Sequence, residues 1–275
     1  MPGSFPSTLH GTAVDSMPMG RHGRAAGHAM TQRTAIVTGA GGALGSAISR
    51  RLILDGLHVV LADVRPEAAE DVAQRIDPPR ARTLVVPVDV ASEPSVSAMV
   101  RAAVEWRGGV DVLVNNAGIA EPDFRTWEMP PDVWDRTIAI DLTGVFYCCR
   151  AVLPQMIGRR WGRIVNISSI AGKDASHMPV AYAAAKAGVI GLTKAVAFEV
   201  ATHGILVNAV TPGAIWSANW AAVSDEQREL HRGLHPMGRF GEPDEVAAMV
   251  GWLSSDACSF STGAVFDISG GRASY

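Results

Sequence analysis

Short runs of aliphatic and β-branched residues recur along this chain. Between them, apolar positions return every three or four residues. The runs read as buried strands, and the spaced positions as helices with an apolar face. Strands are expected at Thr34–Thr38, His58–Ala62, Thr83–Val88, Val110–Val114, Ile164–Ser169, Ile205–Val210 and Ala264–Ile268. Helical periodicity runs from the glycines before residue 46 to about Asp55, over 66–76, 93–107, 132–157 and 180–203, and again from Pro243. Strands that alternate with helices build a parallel, doubly wound sheet through right-handed crossovers. The expected fold is α/β, one sheet of about seven strands with helices on both faces.

Residues 1–32 break this pattern. They carry Pro2, Pro6, Pro18 and five glycines, and show no periodicity. The reading is a flexible tail, followed by a single catalytic-size domain over 33–275. His10, His22 and His28 in the tail stand at no metal-ligand spacing, and no metal is expected. Met17, Met19 and Met30 are alternative starts that would leave the tail without a role.

Composition narrows the class. The chain of 275 residues is 48% hydrophobic and 19% charged, which is a globular chain with a large core. A net charge of −3 gives no electrostatic reason to expect nucleic acid. Cys148, Cys149 and Cys258 suit buried thiols in a reducing compartment better than a disulfide framework. No apolar run reads as a membrane span, and the N-terminus lacks a basic-then-apolar signal. A cytoplasmic protein is expected. The stretches 132–157 and 180–203 are apolar on more than one face, which implies packing across a subunit interface and hence a homo-oligomer, with a tetramer favoured and a dimer open.

The candidate chemistry lies just past the strand ends. Gly39-Ala-Gly-Gly-Ala-Leu-Gly45 follows the first strand and opens a helix. Glycines let the backbone approach a pyrophosphate, and the helix N-terminus offers free N–H groups and a positive dipole end. This unit makes the sheet Rossmann-type. Asp63 ends the second strand, 24 residues past Gly39. That is close to the roughly 20 expected for the acid that binds the adenosine ribose. A carboxylate there repels a 2′-phosphate and favours NAD over NADP; Arg65 is the opposing signal. Asp89, Asn116, Ser169 and Pro212-Gly213 also fall at strand ends, where ligands bind in such sheets. Tyr182 and Lys186 are four residues apart on a predicted helix, so they share a face. An ammonium beside a phenol favours the phenolate, and the pair can move a proton to or from an alcohol. The Ser169 hydroxyl is placed to hold the same oxygen.

From about residue 32 onward the chain resembles the short-chain dehydrogenase/reductase family, in its single-domain oligomeric branch. The resemblance is carried by Thr38-Gly39-x-x-x-Ala43-x-Gly45, Asp89-Val90, Asn115-Asn116-Ala117-Gly118, Ser169, Tyr182-x-x-x-Lys186 and Pro212-Gly213, in family order. Ser169 precedes Tyr182 by 13 residues, the family interval, which favours it over Ser168. The resemblance implies that Tyr182 is the general base in oxidation, that Lys186 lowers its pKa and holds the nicotinamide ribose, and that Ser169 orients the substrate oxygen. It implies that Thr38, Gly39, Leu44 and Gly45 meet the dinucleotide. Asp89 and Val90 would hold adenine, and Asn116 the adenosine side. Gly213 and Ile215 would line the nicotinamide, with Pro212 before them and Ser217 near the pyrophosphate. Gly42 stands where relatives using NADP often carry a basic residue, again in favour of NAD. Two departures stand out. Ala43 replaces a glycine, a small change. Asp141 replaces the Asn that in relatives supports a proton-relay water, and adds a negative charge near Lys186.

The expected activity is interconversion of a secondary alcohol and its ketone. Lys173, Asp174, Ser176 and His177 make the segment before Tyr182 polar, which points to a sugar, polyol, hydroxy acid or cyclic alcohol. Trp216 and Trp220 could stack on such a ring. Two other readings remain. One is an NADPH-dependent 3-oxoacyl-carrier-protein reductase, opposed by Asp63 and His203. The other is a dinucleotide-binding sensor without turnover, opposed by the intact Ser169, Tyr182 and Lys186.

Overall fold

A computed structural model describes residues 33–120, 124–175 and 178–273. The tail, and with it Ser176 and His177, lies outside the described residues. Seven strands form one sheet: β1 (Thr34–Thr38), β2 (His58–Asp63), β3 (Thr83–Pro87), β4 (Val112–Asn115), β5 (Gly162–Ile167), β6 (Ile205–Pro212) and β7 (Val265–Ile268). Their order is β3-β2-β1-β4-β5-β6-β7 and every pairing is parallel. The order reverses between β1 and β4, so the loops after these strands diverge and leave a crevice at their carboxyl ends.

Alternation along each strand explains the two layers. On β1, Ile36 points into one apolar core, and Ala35 and Val37 into the other. The first core takes α3 (Glu93–Arg107), α5 (Gly144–Arg159) and α6 (Val180–Val200). The second takes α1 (Ala43–Leu54), α2 (Pro66–Ile76) and α8 (Pro243–Leu253). A strand buried on both faces reads as a continuous apolar run, which is why these strands were visible in the sequence. Prolines open α2, α3 and α8, where the missing N–H costs nothing. Gly108, in the left-handed region at φ 81°, closes α3.

The structure departs from the periodicity in three places. The stretch expected as one helix over 132–157 is α4 (Pro131–Ile138), a π-turn over Ala139–Thr143, and α5. The extra residue in that turn rotates Asp141 inward, to zero exposure. The second departure is a short helix, α7 (Asp225–Gly233), in the segment expected as a loop. It buries none of its residues, so it has no core face for periodicity to report. Third, β5 ends at Ile167, and Ser169 caps a one-turn 3-10 helix over Ile170–Gly172. The segments 131–159 and 180–203 are apolar enough in composition to cross a bilayer, but each builds one side into the core beside the sheet.

Candidate active site

The crevice between β1 and β4 is assembled from backbone. Gly39 turns at φ +65°, and a Cβ there would stand 2.9 Å from the Cα of Ala117. A Cβ on Gly45 would stand 2.2 Å from the Gly39 carbonyl oxygen. No side chain caps α1 at Gly42, so its first N–H groups are left without a side-chain partner. Thr38 and Asn116 join the two strand ends. The Thr38 hydroxyl accepts from the backbone N–H groups of Asn116 and Ala117, both at 3.0 Å. The Asn116 amide donates to the carbonyls of Thr38 at 2.9 Å and Gly39 at 3.1 Å. These two side chains are thus committed to shaping the crevice. Leu44 packs at the edge of a core. The methyl of Ala43 is exposed, and the departure from glycine is accommodated.

Asp63 is 5% exposed at the end of β2. Its carboxylate accepts from the N–H of Gly41 at 2.8 Å and of Arg65 at 2.9 Å. The acid is therefore fixed against the glycine turn, with lone pairs left for ribose hydroxyls. The Arg65 side chain is exposed beside it. Asp89 is exposed and caps Ala91 at 3.0 Å, while Val90 is buried against Gly144. Glycines with no room for a Cβ at Gly39 and Gly45, an uncapped helix start and a fixed carboxylate together suit a dinucleotide.

The other side of the crevice is built from buried side chains. A chain of amides runs from β4 through β5 to α6: Asn115 donates to Asn166 at 2.8 Å, and Asn166 donates to Thr193 at 2.9 Å. It sets α6, and with it Tyr182 and Lys186, against the sheet. Sequence reasoning did not single out Asn166 and Thr193; polar residues inside apolar runs were the available signal. The Lys186 Nζ donates to the Ile167 carbonyl at 3.3 Å, pairs with Asp141 at 3.2 Å and lies 5.5 Å from the Tyr182 ring centre. Burial works against the Lys186 charge, but Asp141 and Tyr182 outweigh it and hold its pKa above the ordinary lysine range. The second Asp141 oxygen accepts from the Ile119 N–H at 2.8 Å. Gly118 makes room for the group, since a Cβ there would be 3.1 Å from the Asp141 carboxylate and 3.2 Å from Nζ.

The two serines divide. Ser168 donates to the Lys186 carbonyl at 2.8 Å, a structural tie. Ser169 accepts from the Ala171 N–H at 3.1 Å and keeps its own proton to give. Past β6, the Gly213 N–H donates to Ile268 at 2.8 Å, and the Ile215 carbonyl accepts from the Trp220 indole at 2.9 Å. Ser217 is half-buried before a short turn over Ala218–Ala222. Trp216 and Trp220 both pack on Phe240, at 5.6 and 4.7 Å between ring centres.

Lys173 and Asp174 have partners of their own. Lys173 pairs with Asp267 on β7 at 2.9 Å, and Arg272 pairs with Asp174 at 3.1 Å. Both side chains tie the segment before Tyr182 to the end of the chain. Their polarity therefore speaks for this anchoring more than for a hydroxylated substrate.

A doubly wound sheet with a glycine turn at its switch point, and a Tyr–Lys pair across the same crevice, defines an NAD(P)-dependent oxidoreductase of CH–OH groups. Comparison with known proteins takes this further. The family profile described as Enoyl-(Acyl carrier protein) reductase matches residues 39–273. The chain is 40% identical to 2-dehydro-3-deoxy-L-rhamnonate dehydrogenase (NAD(+)) of Sphingomonas sp. (strain SKA58) over 88% of this chain and 96% of that one. It is 43% identical to cis-4-hydroxycyclohexanecarboxylate dehydrogenase of Sinomonas cyclohexanicum, over 89% and 98%. It is 39% identical to the 3-oxoacyl-[acyl-carrier-protein] reductase FabG of Staphylococcus aureus (strain Mu50 / ATCC 700699), over 87% and 97%. The crystal structure of gox2181 superposes with a TM-score of 0.85 at 34% identity, covering 88% of this chain and 95% of that one. The chain belongs to the short-chain dehydrogenase/reductase family.

Proposed function

We propose that the protein is an NAD-dependent dehydrogenase that oxidises a secondary alcohol on a sugar acid, polyol, hydroxy acid or cyclic alcohol. The observation that carries the NAD preference is Asp63, a buried carboxylate fixed by two backbone N–H groups. A 2′-phosphate brought there would meet a negative charge that cannot swing away. Two relatives support the substrate class by name, one acting on a sugar acid with NAD(+), the other on a hydroxylated cyclohexane carboxylate.

A bound nicotinamide supplies the hydride acceptor. The remaining work belongs to the chain. Ser169 donates to the substrate oxygen and orients it. Tyr182 takes the hydroxyl proton as the carbon gives up its hydride, so the alcohol loses two hydrogens and becomes a ketone. Lys186 keeps a positive charge beside Tyr182 and so favours the phenolate. Asp141 holds that charge in place and tempers its pull on Tyr182. Gly39, Gly45 and the start of α1 hold the pyrophosphate, with Ser217 near it; Asp63, Asp89 and Val90 hold the adenosine; Gly213 and Ile215 flank the nicotinamide.

A homo-oligomer fits the surface. Ala184, Ala187, Gly191, Ala195 and Phe198 make an exposed small and apolar stripe along α6, with Phe198 at 87% exposure. The second reading, a 3-oxoacyl-carrier-protein reductase, is favoured by the Staphylococcus relative.

Nicotinamide absorbance tests both readings. Wild type and Asp63→Ser are assayed with NAD and NADP against sugar acids, polyols, hydroxy acids, cyclic alcohols and a 3-oxoacyl thioester. Turnover of an alcohol with NAD, and a shift towards NADP in the variant, is the expected result. Turnover confined to NADPH and the thioester overturns the first reading in favour of the second.

A further inference from the structure

A buried histidine outside the Tyr182–Lys186 group is committed to the loop that follows β6. His235 stands just beyond α7 and is 3% exposed. Its Nε2 lies 3.0 Å from the backbone nitrogen of Ala214, and its Nδ1 lies 2.8 Å from the carbonyl oxygen of His231. These partners fix the tautomer. A backbone N–H only donates and a carbonyl only accepts, so Nδ1 carries the proton and Nε2 the lone pair. The ring is neutral in this arrangement. The fit is close, because a Cβ on Gly213 would stand 2.5 Å from Nε2.

The other ties of this loop are mostly backbone to backbone. Gly213 donates to Ile268 at 2.8 Å, Gly241 to Ala214 at 2.9 Å, and Trp216 to Gly241 at 2.8 Å. Two side chains add to them. His235 accepts from Ala214, and the Trp220 indole donates to Ile215 at 2.9 Å. Trp220 also packs on the His231 ring at 5.0 Å. His235, just beyond α7, thus holds the loop directly, and His231 on α7 packs on the Trp220 that holds it a second time.

We propose that His235 is a positioning residue for the nicotinamide side of the crevice: it sets the backbone of Gly213–Ile215 through the Ala214 N–H, and does so only as the neutral ring. The proposal rests on the reading above that this loop flanks the nicotinamide. Proton uptake turns Nε2 into a donor that faces another donor, and the bond to Ala214 is lost. Cofactor affinity then falls as the pH falls.

The charged groups on the surrounding elements are matched among themselves. Arg239 and Glu245, which line a cavity with His235, pair at 2.7 Å. Arg232 on α7 pairs with Glu229 at 2.9 Å. Asp267 on β7 pairs with Lys173 at 2.9 Å, and Arg272 beyond it with Asp174 at 3.1 Å. β6 brings no charged side chain, and the one further titratable ring is His231. Asp225 on α7 pairs with Arg228, and Glu226 and Glu242 are exposed. The paired carboxylates named here already have a cation, so none of them is reserved for an imidazolium.

The test is NAD⁺ binding to the full chain by calorimetry, from about pH 5.5 to about 8.5. Wild type is compared with His235→Gln and His235→Leu. Glutamine places an oxygen near the Nε2 position and can still accept; leucine fills space without an acceptor. The expected result is a wild-type affinity that weakens as the pH falls. His235→Leu should weaken binding about tenfold at the alkaline end, because the half-buried Ala214 N–H loses its partner. His235→Gln should restore most of that affinity, and both variants should lose the pH dependence. Thermal melts confirm that the variants are folded. A folded leucine variant with wild-type affinity at every pH overturns the proposal. If leucine prevents folding, a pH dependence that persists unchanged in the glutamine variant overturns it. Wild type that fails to bind NAD⁺ at any pH overturns the cofactor reading itself, and the proposal with it.

Discussion

At the ends of β1 and β2 the crevice is made of glycine backbone, an open helix start and one carboxylate held by N–H groups. Across β4, β5 and α6, and at the π-turn before α5, it is made of buried side chains: an ammonium, a carboxylate and a run of amides. The first kind of site tolerates changes in side-chain chemistry but no added bulk. The second tolerates little change in charge, because each buried ion depends on its partner. The difference follows from the tasks. A large polyanionic cofactor needs room and N–H donors. A proton transfer needs a group whose charge is set by its neighbours.

The largest effect expected from attacking the comparison is at Tyr182. Tyr182→Phe removes the proton carrier and should lower kcat by about 10²–10⁴-fold. NAD⁺ affinity, measured by calorimetry, should hardly change. Equal losses in both quantities would mean that the two sides are not separable.

Asp141 tests the dependence on charge. Asp141→Leu strands the Lys186 ammonium without its buried partner, which should cost about 3–5 kcal/mol of stability, read by denaturant unfolding. Asp141→Asn keeps the shape and removes the negative charge. Its pH–rate profile for oxidation should move to lower pH, since Lys186 then acts on Tyr182 unopposed. An unmoved profile would remove Asp141 from the proton-transfer argument.

Gly45→Ala tests the opposite side. The added Cβ would stand 2.2 Å from the Gly39 oxygen, so the turn must shift. NAD⁺ binding should weaken about tenfold, the change made by 1.4 kcal/mol. At saturating cofactor, kcat should stay close to that of wild type. Wild-type affinity would show that the turn is not where the cofactor sits.

The smallest effect is outside both. Hydrogen bonds from Arg239 and the Glu242 N–H hold the Glu245 carboxyl down to about 2. A depressed carboxyl stabilises the fold in full above its ordinary value of 4.5, and loses that contribution as the pH falls towards about 2. The melting difference between wild type and Glu245→Gln should therefore be constant near neutral pH and shrink below about pH 4.5. A difference that persists unchanged in acid would assign the effect to the N-terminal cap of α8 alone.

The sequence by itself determined the sheet, the glycine turn, Asp63 and the Tyr182–Lys186 pair. Each is written in neighbouring residues: a β-branched run, a glycine spacing, a helical interval of four. Composition also marked α6 as apolar beyond one face, and its outer stripe is exposed in the single chain. Tertiary structure decided the rest, because those features join residues far apart in the chain. The π-turn that brings Asp141 against Lys186 looks like uninterrupted helix in periodicity. Lys173 and Asp174 looked like a polar pocket wall until Asp267 and Arg272, more than ninety positions away, were found beside them. α7 gave no apolar signal since it has no buried face. His235 was one histidine among eight in the sequence. Only the fold sets its two nitrogens against one N–H and one carbonyl, and so fixes its tautomer.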